Sequence, residues 1–385
     1  MRWDHLRLDG APEGSAPGDG ALGNGPAEAC GPGPARALFE RGAITRTFDT
    51  PGFRGMTFYE IQAKSIVNRV PATSRMAFGW TINPYRGCQH ACAYCFARNT
   101  HTYLDLDAGQ DFNSKVVVKV NAPELLRATL ASPRWAGEHI AMGTNVDCYQ
   151  RAEGRYELMR GIIAALRDHA NPFSILTKGT LVLRDLDLLT QAAEVTDVGL
   201  NVSAGFVDKE LWRSLEPGTP SPERRLDVCA TLTGAGLRCG VLMGPIVPFL
   251  SDSPAQLDAA VRRIAVSGAG HVTPIVLHLR PGTREWYMRW LSEHHPALLP
   301  RYRRLYRHSA YAPKDYQAEI SGQVRELARR YGVGAATPAA GRSVGANLGM
   351  GPARDAARGG RAAGEPPPGA AREATRPVPM QLSLL

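Results

Sequence analysis

Three cysteines between positions 88 and 95 form the densest group of reactive side chains in the sequence. Cys88, Cys92 and Cys95 are spaced C-x3-C-x2-C, with Tyr94 directly before the third. Thiolates bind soft metals, and three on one short loop can hold three irons of a [4Fe–4S] cluster. The fourth iron then lacks a protein ligand, as it must if the cluster is to bind and reduce a small molecule rather than only pass electrons. The same residues also allow a Cys3His zinc site, with His90 or His101 as the fourth ligand. Structural zinc loops usually pair two C-x2-C units, however, and no second pair exists here.

Cys30, Cys148, Cys229 and Cys239 are scattered, so the seven cysteines do not form a disulfide framework. This fits a reducing compartment, in which cluster ligands stay thiolate. With no run of 18 apolar residues and no apolar leader, the expectation is a cytoplasmic protein with no membrane partner. Hydrophobic residues make up 44% of the 385, enough for a sizeable core. The net charge is +9. The excess lies late in the chain, where Arg301, Arg303, Arg304, Arg307, Lys314, Arg325, Arg329 and Arg330 interleave with Tyr302, Tyr306, Tyr311 and Tyr316. Cations mixed with aromatic rings suit phosphate contacts and base stacking, and equally a solvated helix pair.

The elements that must position the cysteines alternate strand and helix. Strand-like runs fall at 78–82, 139–144, 173–177, 198–203, 238–243 and 272–279, with an extra strand at 115–120 before Asn121 as a helix cap. Helical stretches fall at 153–169, 184–195, 222–234 and 253–266; the first has Tyr156, Met159, Ile163 and Leu166 on one face. Strands joined by helices call for parallel pairing and right-handed crossovers. The fold expected is α/β, a partial (β/α)6 barrel of the TIM type, whose sites gather at the C-terminal strand ends. The cysteine loop begins just after the first strand. The expected organisation is a disordered flank over 1–40, an extension over 41–77, the barrel core over 78–285, a basic helical extension over 286–335 and a disordered tail over 336–385.

The pattern Cys88-x3-Cys92-x-Tyr94-Cys95 resembles the signature of radical S-adenosylmethionine (radical SAM) enzymes. Further segments resemble the spore photoproduct lyase-like group of that family, as found in actinobacteria. They are Gly143-Thr-Asn-Val-Asp-Cys-Tyr-Gln150 with Glu153, Ile175-Leu-Thr-Lys-Gly179 with Arg184 and Asp185, Leu215-Glu-Pro217 with Arg224, and Gly244-Pro-Ile-Val-Pro248. The resemblance implies a [4Fe–4S] cluster on Cys88, Cys92 and Cys95, with SAM chelating its open iron. It also implies reductive cleavage to a 5′-deoxyadenosyl radical, a lyase or oxidoreductase outcome, and a flavodoxin or ferredoxin as reductant. Under it, Thr144, Asn145 and Asp147 meet the SAM amino group and Lys178 its carboxylate. Asn201 and Ser203 hold the ribose, while Pro245, Ile246 and the backbone at Tyr94 pack on adenine. Arg184 and Asp185 cap a helix, and Glu216 pairs with Arg224.

The lyase carries a hydrogen-donating cysteine in its second-strand segment. This chain has Met142, Gly143 and Thr144 there, and Cys148, slightly later, is the candidate donor. The chain ends Gln381-Leu-Ser-Leu-Leu385, which resembles the short sliding-clamp-binding peptide of bacterial replication and repair proteins. One polar anchor and three leucines on a polar tail suit an apolar groove. Nucleic acid is the substrate class these features favour. The competing expectation is a DNA- or clamp-associated binding protein whose metal loop is structural zinc or a redox-sensing cluster.

Overall fold

The computed structural model describes residues 42–334, apart from 72, 73 and 75. The expectations for residues 1–40 and 336–385, the clamp-like peptide included, fall outside the described residues.

In chain order the strands are β1 (Ile44–Arg46), β2 (Thr57–Ile61), β3 (Val67–Arg69), β4 (Trp80–Ile82), β5 (Tyr85–Arg86), β6 (Lys115–Lys119), β7 (Ile140–Met142), β8 (Phe173–Thr177), β9 (Val198–Ser203), β10 (Cys239–Ile246) and β11 (Val272–Val276). The larger sheet runs β11-β10-β9-β8-β7-β4-β3. Its strands from β4 to β11 are parallel, and β3 closes the other edge antiparallel. These six parallel strands are the six expected from sequence, in sequential order. Between β4 and β11 the curved sheet stays open, giving a partial barrel. The strand expected at 115–120 joins a separate sheet, ordered β1-β2-β6-β5.

Buried strands read as apolar runs because both faces are covered. Val241, Met243, Leu200, Val202, Phe173 and Ile175 are all buried. The covering helices follow the expected periodicity. Leu158–Asp168 buries Met159, Ile162, Ile163 and Leu166, and Pro222–Gly234 buries Leu226, Val228, Cys229 and Leu232. Pro254–Val266 opens with a reciprocal capping box between Ser253 and Gln256. After β11, helices Thr283–His294, Leu299–Leu305 and Lys314–Arg330 pack Tyr287, Tyr302, Ile320 and Val324 into the same core as the strands.

Three local expectations are corrected. The 153–169 stretch breaks into Glu153–Tyr156 and Leu158–Asp168 at Glu157, where φ is +50°. The buried Glu153 carboxylate spans the break, accepting from Met159 N at 3.0 Å in the first turn of the second piece. Asn121 sits at a cap position, but its amide pairs with both backbone groups of Ala63, at 2.9 Å each, tying the helix to the loop after β2. The 184–195 helix is α-helical over Leu186–Val195 and 3-10 over Thr180–Asp185.

Ser253→Ala removes one partner of the capping box, and we expect a stability loss of about 1 kcal/mol. Urea unfolding monitored by circular dichroism reads it, and an unchanged midpoint contradicts the cap's contribution.

Candidate active site

The loop from Gly87 to Cys95 follows β4 and β5 with little regular structure, so its peptide groups find partners elsewhere. Arg98 serves two of them, Ala91 O and Cys92 O, from a fully buried position. Its guanidinium donates to Cys92 O at 2.9 Å, Ala91 O at 3.3 Å, Gly109 O at 2.9 Å and the side chain of Asn113 at 3.0 Å. The Trp286 ring, 4.6 Å away, covers its face. Gln150 spans the other side, accepting from Gln89 N and donating to Gly87 O at 3.0 Å each. The turn after Leu215 closes on the loop: Ala93 N donates to Leu215 O at 2.9 Å, and Gly218 N to His90 O at 3.1 Å. A Cβ at Gly218 would lie 2.0 Å from Gln89 O, so only glycine allows this approach.

The held loop faces a cavity at the C-terminal ends of the parallel strands. Cys88, Cys92 and Cys95 line it, with Tyr94 and His90. Thr144, Asn145 and Asp147 come from the loop after β7, Lys178 from the end of β8, Ser203 from β9 and Pro245 from β10. Gly143 turns the chain there at φ +75°, where a Cβ would overlap Leu176 O at 1.8 Å.

Hydrogen bonds order these groups. Asp147 Oδ1 accepts from Thr177 Oγ1 at 2.7 Å and Tyr149 N at 2.9 Å, and its Oδ2 from Lys178 N at 2.6 Å. Asp147 therefore braces the ends of β7 and β8. Lys178 Nζ donates to Ser203 Oγ at 2.8 Å, and that hydroxyl donates to Gly244 O at 3.0 Å. Nζ also lies 5.7 Å from the Tyr94 ring centroid. The Tyr94 hydroxyl donates to Glu216, which also pairs with Arg225; both contacts are short. Burial acts to raise the Glu216 pKa, but Arg225 and Lys178 outweigh it and hold the carboxyl below its usual range. Arg225 Nη1 donates to Ser203 O at 2.8 Å, completing a buried chain from the cysteine loop to β9.

The donor set is three thiols on one loop, the number that can hold three irons of a cluster. Burial raises the pKa of all three thiols, Cys92 to about 12, and a bound metal cation would favour their thiolate forms. Among the described residues, no three His, Cys, Asp or Glu side chains converge as one ion requires. Zinc needs all its sulfurs about 2.3 Å from one point, whereas the corner irons of a cluster accept thiols set further apart. Of the two proposed zinc histidines, His90 lines the cavity beside the cysteines and His101 does not. The His101 ring is 2.8 Å from Lys115 O, away from the cavity, and His90 Nδ1 lies 3.4 Å from Asp147.

Three expected site residues lie elsewhere. Asn201 is on β9, one inward-facing layer below Ser203, and its Oδ1 is 3.0 Å from His271 Nε2. Ile246 is fully buried, because the pairing of β10 with β11 slips between Met243 and Ile246 and leaves Pro245 on the cavity. Cys148 is also fully buried and is not among the lining residues. Glu216 pairs with Arg225, one position beyond the expected Arg224. Arg184 and Asp185 belong to an interior ion cluster with Glu153, Arg184 reaching Glu153 at 2.6 Å and Asp185 at 2.8 Å. Of the four tyrosines offered for stacking, Tyr302 and Tyr306 are buried with their hydroxyls on Pro248 O and Leu277 O, and Tyr316 bonds Asp252; Tyr311 is exposed. Sequence reading gave no role to Arg98, Gln150 or Arg225, although Gln150 ends a segment singled out there; their neighbours are mixed polar and apolar and mark none of the three.

The fold and site define a parallel α/β part-barrel with a three-thiol loop at its mouth. The family model of the radical SAM superfamily matches residues 82–259. An uncharacterized protein of Mycobacterium tuberculosis is 48% identical over 292 residues, 76% of this chain and 86% of that protein. One of Methanocaldococcus jannaschii is 33% identical over 195 residues, 50% of this chain and 69% of that protein. Among solved structures, spore photoproduct lyase complexed with dinucleoside spore photoproduct superposes with a TM-score of 0.54 at 14% identity, covering 72% of this chain and 80% of that one. A variant of the lyase with bound AdoMet and the same dinucleoside gives 0.52 at 17% identity, covering 68% and 76%. The chain belongs to the radical SAM superfamily and shares the fold of the lyase.

Replacing Arg225 by Met leaves the Glu216 carboxylate buried without its cation, at an expected cost of about 3–5 kcal/mol. The Arg225→Met/Glu216→Leu double variant is expected to regain much of that. Equal losses in the two variants, read by urea unfolding, contradict the pairing.

Proposed function

We propose that the chain is an enzyme that cleaves S-adenosylmethionine reductively, with nucleic acid as its substrate class. Cys88, Cys92 and Cys95 hold the cluster, and SAM occupies the cavity they line. The supporting observation is that the three thiols share one cavity with Lys178, Ser203, Thr144 and Asn145 at the strand ends. The chemistry supplied there, with cluster and SAM bound, is one-electron reduction to methionine and a 5′-deoxyadenosyl radical that takes a hydrogen atom from the substrate.

The chain's own residues bind, orient and exclude water. Lys178 keeps donors free after its bond to Ser203 and offers a point charge to the SAM carboxylate. Thr144 and Asn145 supply acceptors for the amino group, while Asp147 holds both strand ends in place for them. Ser203 serves the ribose, and Pro245 and the Tyr94 ring offer apolar surface to adenine. An acidic flavodoxin or ferredoxin is the reductant that suits a chain of net charge +9. The nucleic-acid assignment draws on that charge and on the dinucleoside bound to the structurally similar lyase. No helix among the described residues is long and apolar enough to cross a membrane.

Anaerobic purification with iron and sulfide analysis, then incubation with SAM and dithionite, tests the reading. The expected product is 5′-deoxyadenosine. Zinc without sulfide, or a cluster that leaves SAM intact, overturns it. Cys88→Ala, Cys92→Ala and Cys95→Ala are each expected to lose the cluster absorbance and all deoxyadenosine. Lys178→Ala is expected to keep the cluster and weaken SAM binding by about tenfold or more, the loss of one charge-assisted bond. Cys148→Ala is expected to retain both cluster and deoxyadenosine formation, because the thiol is buried away from the cavity.

A further inference from the structure

Two residues that line the cavity, Phe96 and His278, have Tyr311 and Arg280 beside them. Phe96, which follows Cys95, lines the rim and is 38% exposed; Tyr311 is 46% exposed. His278 lies between them, its ring 5.9 Å from Phe96 and 5.5 Å from Tyr311, inclined to the latter by only 23°. Arg280 sits 5.8 Å from the Phe96 ring centroid and donates to the Tyr311 hydroxyl at 3.1 Å. The set is preorganised. A β-bridge joins His278 to Tyr311, and Leu279 N donates to Ala310 O at 2.7 Å.

Two kinds of group stay open to a partner here. Large aromatic surfaces stay in water, although most aromatic rings of this chain are at least partly buried. Arg280 is exposed, and among the described residues no carboxylate comes within ion-pair distance of it. Arg303, Arg304 and Arg307, later in the chain, are exposed as well. A partner that uses both needs a flat ring to lie on the aromatic faces and an anion beside it. An apolar peptide leaves the cations unmet, and a free anion leaves the rings unmet. A nucleotide meets both. A base inside a duplex has its faces taken by its neighbours, so only an unpaired base can stack here.

We infer that Phe96, His278, Tyr311 and Arg280 form a recognition platform for single-stranded nucleic acid. The rings stack an unpaired base, and Arg280 takes the adjoining phosphate. This rests on the nucleic-acid reading above and names the residues that carry it. Phe96 adjoins a cluster cysteine, so a base stacked on it is held one side chain from the cavity. Every base has a π-face, so the platform fixes position without reading sequence.

The test is fluorescence anisotropy of a labelled single-stranded oligo(dT) with the full, cluster-loaded chain. Tyr311→Ala and Phe96→Ala are each expected to lower affinity about 5- to 150-fold, the range for losing one base stack, and Tyr311→Phe to stay within about twofold of the parent. Arg280→Gln is expected to reduce the slope of log affinity against log salt by about 0.7, one phosphate contact on a single strand. Phe96→Ala touches the loop, so its iron content is measured too; Tyr311→Ala and Arg280→Gln carry the test if iron is lost. Parent-like binding by these variants overturns the platform and leaves the nucleic-acid reading standing. A parent that binds no oligonucleotide overturns both, while the deoxyadenosine assay still reports SAM cleavage separately. Equal competition by duplex overturns the requirement for an unpaired base.

Discussion

A loop with little regular structure that must turn three thiols into one cavity cannot satisfy its own peptide groups. Everything around the site follows from that constraint. Arg98 is buried at the centre of the answer, because a planar fork of five donors can reach several carbonyls that no backbone ladder serves. Gln150 does the same with one donor and one acceptor on the opposite flank. The requirement extends to glycines: Gly218 and Gly143 sit where another chain segment passes within Cβ distance. The loop is shaped by parts of the chain distant in sequence, and its geometry depends on the barrel having closed that far.

The buried charges show how the interior tolerates what those interactions demand. Glu216 and Arg225 are both buried, and each alone would be costly. Together with Tyr94 they link the loop to β9, which already presents Ser203 to Lys178. Glu153, Arg184 and Asp185 form a second cluster beneath the β7 and β8 ends, reached by Tyr85 and Tyr149 hydroxyls. Such networks specify one arrangement because partial satisfaction is worse than none. Rigidity is what a site handling a radical needs, since an aimed hydrogen transfer tolerates little displacement.

The strands were legible in the sequence, and the reason is physical. Parallel strands buried on both faces are apolar runs, and β8 and β9 fall at the expected bounds. The cysteines were legible because metal ligation restricts both residue type and spacing. What escaped was pairing across long separations. Glu216 was expected to meet Arg224, yet Arg225 faces inward on the Pro222–Gly234 helix, and a helix periodicity cannot show that an arginine is on the buried face. Asn201 and Ser203 share a face of β9, but they differ by about 6.6 Å along the strand, enough to place one at the mouth and the other beside His271. Ile246 was displaced by a register slip that no alternation pattern contains. The tyrosines of the basic segment looked like a stacking surface, but amphipathic helices turn Tyr302 and Tyr306 into the core and leave the arginines outside.

That last outcome changes what the C-terminal segment is for. Thr283–His294 sits against the cysteine loop: Thr283 Oγ1 donates to Cys95 O at 3.1 Å, Trp286 covers Arg98, and Trp290 Nε1 donates to Ser214 O at 3.0 Å. A six-stranded part-barrel leaves one side without a neighbouring strand, and a loop whose carbonyls were open to water there would hold its thiols poorly. The helix covers that side. The link that leads into this helix carries Arg280, and the segment after Leu299–Leu305 carries Tyr311, and the two meet beside Phe96. Arg284 N donates to Arg280 O at 2.9 Å, so the helix that covers the cysteine loop also fixes the backbone at Arg280.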